Sequence, residues 1–308
     1  MKQGPSHGFM DRMAPLAFLV VMCVALSIAR PSFAQFSNLL GVVQQYSVII
    51  VLAVGQTLLM IAGGIDLSVG SVVALGGVVA GVCYAHGLSP VLAIAAAIGV
   101  CMLAGLINGL VTTKARMPAF IATLGMMGIA RGLAQVLSGA VSIDVSPSIA
   151  AIGQNQWFFA GVIVAVCVVT WLALTRTPFG RHCYALGGNK EATRLSGVNV
   201  DKHMIKTFLF TGTIVGVGAF LMVARVGLAN PTGSEGYELD SIAAAVIGGT
   251  SLFGGQGTVA GTLIGALIMA VLRNGCNLLN IDSNWQLIII GMMIILAVFY
   301  DNVRRRRR

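Results

Sequence analysis

Charge is what this sequence has least of. Asp, Glu, Lys and Arg together make up only 9% of its 308 residues, against about 25% in an ordinary soluble domain. A water-facing surface cannot be assembled from so few charges, so most of the surface must face lipid. Other absences narrow the chemistry. The six cysteines form no CxxC pair and no metal-ligand spacing, which argues against a zinc site or a disulfide framework. Cys23, Cys83, Cys101, Cys167 and Cys276 lie in apolar runs, where cysteine acts as a small hydrophobe, and Cys183 lies in a basic loop. No GxxxxGK[ST] stretch occurs, so the chain has no phosphate-binding loop with which to hold ATP. The absence of HExxH, GxSxG and a paired His–carboxylate motif argues against an enzyme. Alternating polar–apolar segments are missing too, which speaks against a β-barrel. No basic–aromatic groove accompanies the net charge of +9, so that charge is read as a topology signal and not as nucleic-acid binding. Linker-like runs are also lacking, and residues 1–308 read as a single domain.

What is present is apolar: 57% of the residues, with 39 glycines and a mean hydropathy of +0.90. Small residues let membrane helices pack closely. A helix needs about 20 apolar residues to cross a bilayer core. Ten runs qualify as candidate spans: 14–30, 39–62, 67–86, 89–111, 118–140, 157–175, 207–226, 241–254, 258–279 and 285–301. The predicted fold is therefore all-α, a polytopic bundle of about ten transmembrane helices. The start resembles a signal peptide, with Ser32-Phe33-Ala34 as its cleavage-like site. The many later spans and the Arg30-Pro31 pair favour an uncleaved first helix.

Positive charges set the orientation. Lys114 and Arg116 follow span four, the basic loop 176–206 follows span six, and Arg304 to Arg308 form the tail. All three fall inside if the N-terminal segment 1–13 is inside as well. The tail (302–308) returns to the inside only if the short run 241–254 crosses, and a broken helix buried in protein would allow that.

Three segments stand out. In Gly63-Gly64-Ile65-Asp66-Leu67-Ser68-Val69-Gly70, a glycine pair permits a sharp turn between two spans, and Asp66 or Ser68 can cap the following helix. An Asp at such a break either serves as that cap or borders a polar pathway. Gln56, Asp66, Ser68 and Asn108 are the candidate pathway residues. Gly248 to Gly257 forms a second glycine-rich break, and GGIDLSVG matches GGTSLFGG at four positions, a faint sign of repeated halves. In the basic loop, Asn189 can cap a short helix over 190–196 that Gly197 ends. That helix is either a docking knob or part of an ordinary cytoplasmic loop.

Isolated charges carry further expectations. Arg225 and Arg273 read as residues that snorkel to an interface, and Arg131 as a structural anchor or an ion-pair partner for Asp66. Glu235, Glu238 and Asp240 lie in a stretch, 227–240, expected outside as a solvated loop or a contact for a partner.

The order and spacing of several blocks resemble a known family. They are the Gly63–Ser71 stretch, Pro118-Ala119-Phe120-Ile121-Ala122-Thr123-Leu124, Phe179-Gly180-Arg181, Tyr184 to Asn189, Ala192 to Gly197, Gly236 to Ala244 and Gly248 to Leu252. From about residue 36 to 301, the chain is similar to the ribose-type permeases of bacterial ATP-binding-cassette sugar importers. The resemblance implies a multi-pass protein of the inner membrane that carries a monosaccharide, with both termini cytoplasmic. It implies that Gly188, Asn189, Glu191, Ala192, Thr193, Arg194, Leu195, Ser196 and Gly197 form a coupling helix seated in a partner ATPase. Thr193 stands where such permeases often have Ala. It also implies a second permease copy and a periplasmic sugar-binding protein, with ATP and Mg held by the ATPase and no cofactor on this chain.

Overall fold

The computed structural model describes residues 5–306. Residues 1–4 and 307–308, which belong to the expected N-terminal segment and basic tail, lie outside the described residues. The architecture is helical. In chain order the elements are α1 (Pro5–Ala29), a 3₁₀ turn (Pro31–Ala34), α2 (Phe36–Ile61), α3 (Val69–Ala85), α4 (Pro90–Lys114), α5 (Ala119–Ser138), β1 (Ile143–Asp144), α6 (Pro147–Ile152), α7 (Gln156–Arg176), α8 (Pro178–Gly188), α9 (Lys190–Leu195), α10 (Val200–Val226), β2 (Leu228–Ala229), α11 (Tyr237–Ile247), α12 (Val259–Leu278) and α13 (Ser283–Arg306). β1 and β2 form only a two-residue antiparallel ladder, Ile143 opposite Ala229 and Asp144 opposite Leu228.

Among the described residues, six helices are long and apolar enough to cross a membrane: α2, α4, α5, α7, α10 and α12. Three shorter apolar helices, Ala14–Ala29, Val69–Ala85 and Ser283–Leu296, coincide with three more of the expected spans. The run 241–254 is not a continuous helix. Its helical part, α11, has 11 residues and rises about 16 Å, roughly half of a bilayer core. The rest is an irregular glycine-rich turn.

α2 is the central post. It is buried without interruption from Tyr46 to Ile61 and apolar there on nearly every face, with Ser47, Gln56 and Thr57 the polar exceptions, as suits a helix surrounded by others. α10 packs on it and on α4. The α4–α10 contact is backbone to backbone: Gly105 meets the carbonyl of Phe208, and Gly212 meets the carbonyl of Cys101. A methyl group at either glycine would force the helices apart. Dispersion at such close approach, and not a hydrophobic effect, holds helices together in lipid. α5 and α7 turn many large apolar side chains outward, among them Phe120, Ile129, Val136, Trp157 and Val164, as lipid-facing helices do.

Candidate translocation and docking site

The four candidate pathway residues meet in one place. α2 ends in a tight turn: Gly63, with φ +85°, donates to the carbonyl of Met60, and Gly64 donates to that of Leu59. The left-handed conformation suits glycine. The chain then folds back against α2, where the Gln56 amide donates to the Asp66 carbonyl and accepts from the Asp66 N–H. The Asp66 carboxylate accepts from the Ser68 N–H at 2.8 Å and from the Ser68 hydroxyl at 2.5 Å. Asn108 on α4 donates to that hydroxyl at 3.0 Å. Thr123 on α5 accepts from the Leu67 N–H at 3.1 Å. All five polar side chains are buried, and they bond one another or the backbone of the break. Asp66 thus restrains the turn ahead of α3, and Ser68 makes no side-chain cap.

The second break copies the first. α11 ends with Gly249, φ +87°, donating to the Val246 carbonyl, and Thr250 donating to that of Ala245. This is the geometry at Gly63 and Gly64, one residue out of step with the register suggested by the matching letters. The two breaks touch each other, because the Gly255 N–H donates to the Ile61 carbonyl at 2.9 Å.

α8 lies across both. It was not expected, although Thr177-Pro178 marks its start: the Thr177 hydroxyl accepts from the Gly180 N–H, and Pro178 occupies the first turn, where its missing N–H costs nothing. The Tyr184 hydroxyl donates to the Gly257 carbonyl at 2.8 Å. Gly187 packs its α-carbon against the Ile61 carbonyl, the Gly255 N–H and Gly254. Cys183 faces inward on this helix, buried, with its sulfur 3.3 Å from His203 Nε2. It therefore belongs to a packed helix face and not to an open loop.

α9 follows at once and matches the expected short helix. The Asn189 side chain accepts from the Ala192 N–H at 2.9 Å. Gly197, φ +86°, donates to Arg194, and Val198 donates to Thr193. Thr193 is buried and turns its hydroxyl back to the Asn189 carbonyl. The remaining residues of the predicted set (Gly188, Asn189, Glu191, Ala192, Arg194, Leu195, Ser196 and Gly197) are exposed. Leu195 is 88% exposed, and Glu191 pairs with Arg194 at 2.9 Å on the surface. An open cleft of about 880 Å³ separates α9 from the α4–α5 turn, with Gly63, Ile65, Arg116, Lys190, Arg194 and Leu252 on its walls.

Several isolated charges sit differently from expectation. Arg273 does not snorkel: its Nη2 donates to both carboxylate oxygens of Asp240, at 2.8 and 2.6 Å, and the Asp240 side chain is only 7% exposed. Asp240 is thus inside α11 and not in a solvated loop. Arg225 bonds the Gln45 carbonyl and the Tyr237 hydroxyl. Arg131 makes no pair with Asp66, but donates to the Pro231 carbonyl at 2.6 Å, in keeping with the structural-anchor alternative. Sequence inspection missed these partners because each joins elements distant along the chain. The charge signs alone were visible.

A helical bundle of apolar spans, broken at paired glycines around a polar knot and carrying a short capped helix on its surface, defines a membrane permease. The chain belongs to the family described as branched-chain amino acid transport system / permease component, whose profile matches residues 38–298. It is 40% identical over 310 residues to the ribose import permease protein of Escherichia coli strain K12, covering 96% of this chain and 95% of that one. It is 38% identical to the ribose import permease protein of Bacillus subtilis strain 168, over 96% and 94% of the two chains. It is 35% identical to the fructose import permease protein of Rhizobium meliloti, over 95% and 85%. No solved structure gives a significant match.

Proposed function

We propose that this chain is the membrane-spanning subunit of an ATP-driven monosaccharide importer, with ribose or a related pentose, hexose or polyol as cargo. The family's description names amino acids, whereas relatives named for ribose and fructose match nearly the whole chain, and their names favour a sugar. The observation that carries the proposal is the joint at Gly187. α8 contacts both glycine breaks, and α9, a six-residue helix exposed except at Thr193 and carrying its own caps, extends directly from it. A push on α9 therefore reaches the two places where the spans are interrupted.

In this reading α9 docks in a groove of a cytoplasmic ATPase subunit, which holds ATP and Mg. A periplasmic binding protein delivers the sugar, and a second copy of the permease completes the pathway. Ten crossings, with α11 and its turn as the broken eighth, keep both termini and the basic loops in the cytoplasm of a bacterial inner membrane. The cleft beside α9 then opens inward. The knot of Gln56, Asp66, Ser68 and Asn108 borders the pathway above it and holds the first break in shape. Alternating access follows if nucleotide and loaded binding protein each favour one state.

The test is purification of a tagged copy in mild detergent, beside a Gly197→Asp/Glu191→Lys double variant. An ATPase subunit that co-purifies with the parent and is lost from the folded variant supports the proposal. A parent that purifies alone and moves sugar in ATP-free liposomes along an ion gradient would instead identify an ion-coupled secondary transporter.

A further inference from the structure

The stretch between α10 and α11 does not stay at the membrane surface. Ala229, paired with Ile143, packs beside Gly81 of α3. Five residues later, the Ser234 hydroxyl donates to the carbonyl of Gly70 at 2.6 Å. Gly81 and Gly70 are eleven residues apart on one helix, about 16 Å. Gly76 and Gly77 meet Ala219 and Val223 of α10, so Gly70 lies level with the middle of that spanning helix. The chain therefore dips halfway across, turns at Gly236 (φ +84°), and enters α11 from there. Irregular backbone is tolerated at such depth only when buried in protein or bordering a polar cavity.

Glu238 sits at the bottom of this dip. One carboxylate oxygen accepts from the Gly236 N–H at 3.2 Å. The other, Oε2, lies against the α-carbon of Gly70 and is buried with no hydrogen-bond partner among the described residues. A side chain at Gly70 would occupy its place. Ser71, the next residue of α3, is 1% exposed, and its hydroxyl is also buried with no partner among the described residues. Arg131 is the basic group whose field acts on Glu238, and Asp240 opposes it. Arg131 itself is bonded to Pro231, and Asp240 to Arg273. Neither fills the free oxygen. An acceptor left unmet at mid-membrane costs free energy unless something transient meets it.

Building on the sugar-importer reading, we propose that Glu238 contacts the cargo. Its free oxygen accepts hydrogen bonds from hydroxyls of a neutral polyhydroxylated solute, beside the Gly70–Ser71 turn of α3. A carboxylate accepts from two donors at once, which suits vicinal hydroxyls, and no cation is required.

The test uses cells carrying the complete importer. Initial uptake is measured for whichever radiolabelled pentose wild-type cells take up fastest, and for its mono-deoxy analogues. Glu238→Gln and Glu238→Ala are compared with the parent, and Glu235→Gln, on the exposed part of the same stretch, serves as control. The binding protein is the same throughout, so a changed ratio between sugar and analogue reports on the permease. The expected result is at least a ten-fold fall in parent-sugar uptake, the loss of one carboxylate-assisted hydrogen bond. The penalty against one particular deoxy analogue should also shrink several-fold, while the ATPase still co-purifies. Unchanged analogue ratios in Glu238→Gln would overturn the proposal, as would failure of both variants to assemble with the ATPase. Wild-type cells that take up no monosaccharide would remove the importer reading itself, a result distinct from normal uptake with unaltered ratios.

Discussion

Gly187 and Ile61 are in direct backbone contact: the α-carbon at the end of α8 rests on the carbonyl at the end of α2, and the same carbonyl accepts from Gly255 at 2.9 Å. Three chain segments that are far apart in sequence thus share one oxygen atom's surroundings. The neighbours are backbone, so they cannot rotate away as a side chain would.

Gly187→Ala is therefore expected to separate α8 from both breaks. Overpacking of this kind costs about 1–3 kcal/mol. Gly161→Ala, on an open face of α7, should cost nothing measurable. Thermal unfolding in detergent distinguishes them. In the assembled importer, Gly187→Ala should also lower transport per ATP hydrolysed. Equal stability and equal coupling in the two variants would refute this joint.

The Asp240–Arg273 pair ties α11 to α12 where neither residue is well solvated. Removing one partner leaves an uncompensated buried charge, with a cost of about 3–5 kcal/mol. Asp240→Leu and Arg273→Leu should each unfold at lower temperature than the parent, and the double variant should recover most of the loss. A double variant as unstable as the sum of its singles would mean the two side chains act independently.

Much of this was legible in the sequence because lipid imposes a simple code. Length and apolarity identified nine helices, and Asn189 with Gly197 marked both ends of α9. The fate of Arg273 was not legible: an Arg near the end of an apolar run looks the same whether it snorkels or meets Asp240. The paired breaks were half visible. Four shared letters suggested likeness, but the common feature is a helix end at Gly63 and Gly249, offset by one residue. The dip of residues 229–237 left no trace in composition, since glycine, serine and glutamate read equally well as a solvated loop.

α9 has only six residues, too few to persist on propensity alone, so its caps should decide its population. Asn189→Ala removes the acceptor for the Ala192 N–H, at a cost of about 0.5–2 kcal/mol. Faster hydrogen exchange is expected at 191–197, with none at α2. Charge reversal of the exposed Glu191–Arg194 pair should change stability by less than about 1 kcal/mol. A large loss of stability on reversal would show that the pair holds the fold and is not free to meet a partner.

Cys183 offers a probe of whether α8 stays seated. Burial pushes its thiol up from 9.0 to about 12, while a hydrogen bond with Thr207 opposes the shift. The thiolate is the reactive form, so at neutral pH its population is on the order of a thousand-fold below that of an exposed cysteine. A membrane-permeant maleimide should leave Cys183 unmodified in native membranes at pH 7.5 and modify it after denaturation. The sign for stability follows. The folded state keeps the proton that the unfolded state releases above pH 9, so the contribution of this group is complete below pH 9 and is lost as pH rises toward 12. Gly187→Ala, if it lifts α8 off Ile61, should expose the sulfur and raise its labelling rate at pH 7.5. Labelling of Cys183 in the parent as fast as in the denatured chain would mean that α8 is not held against the breaks.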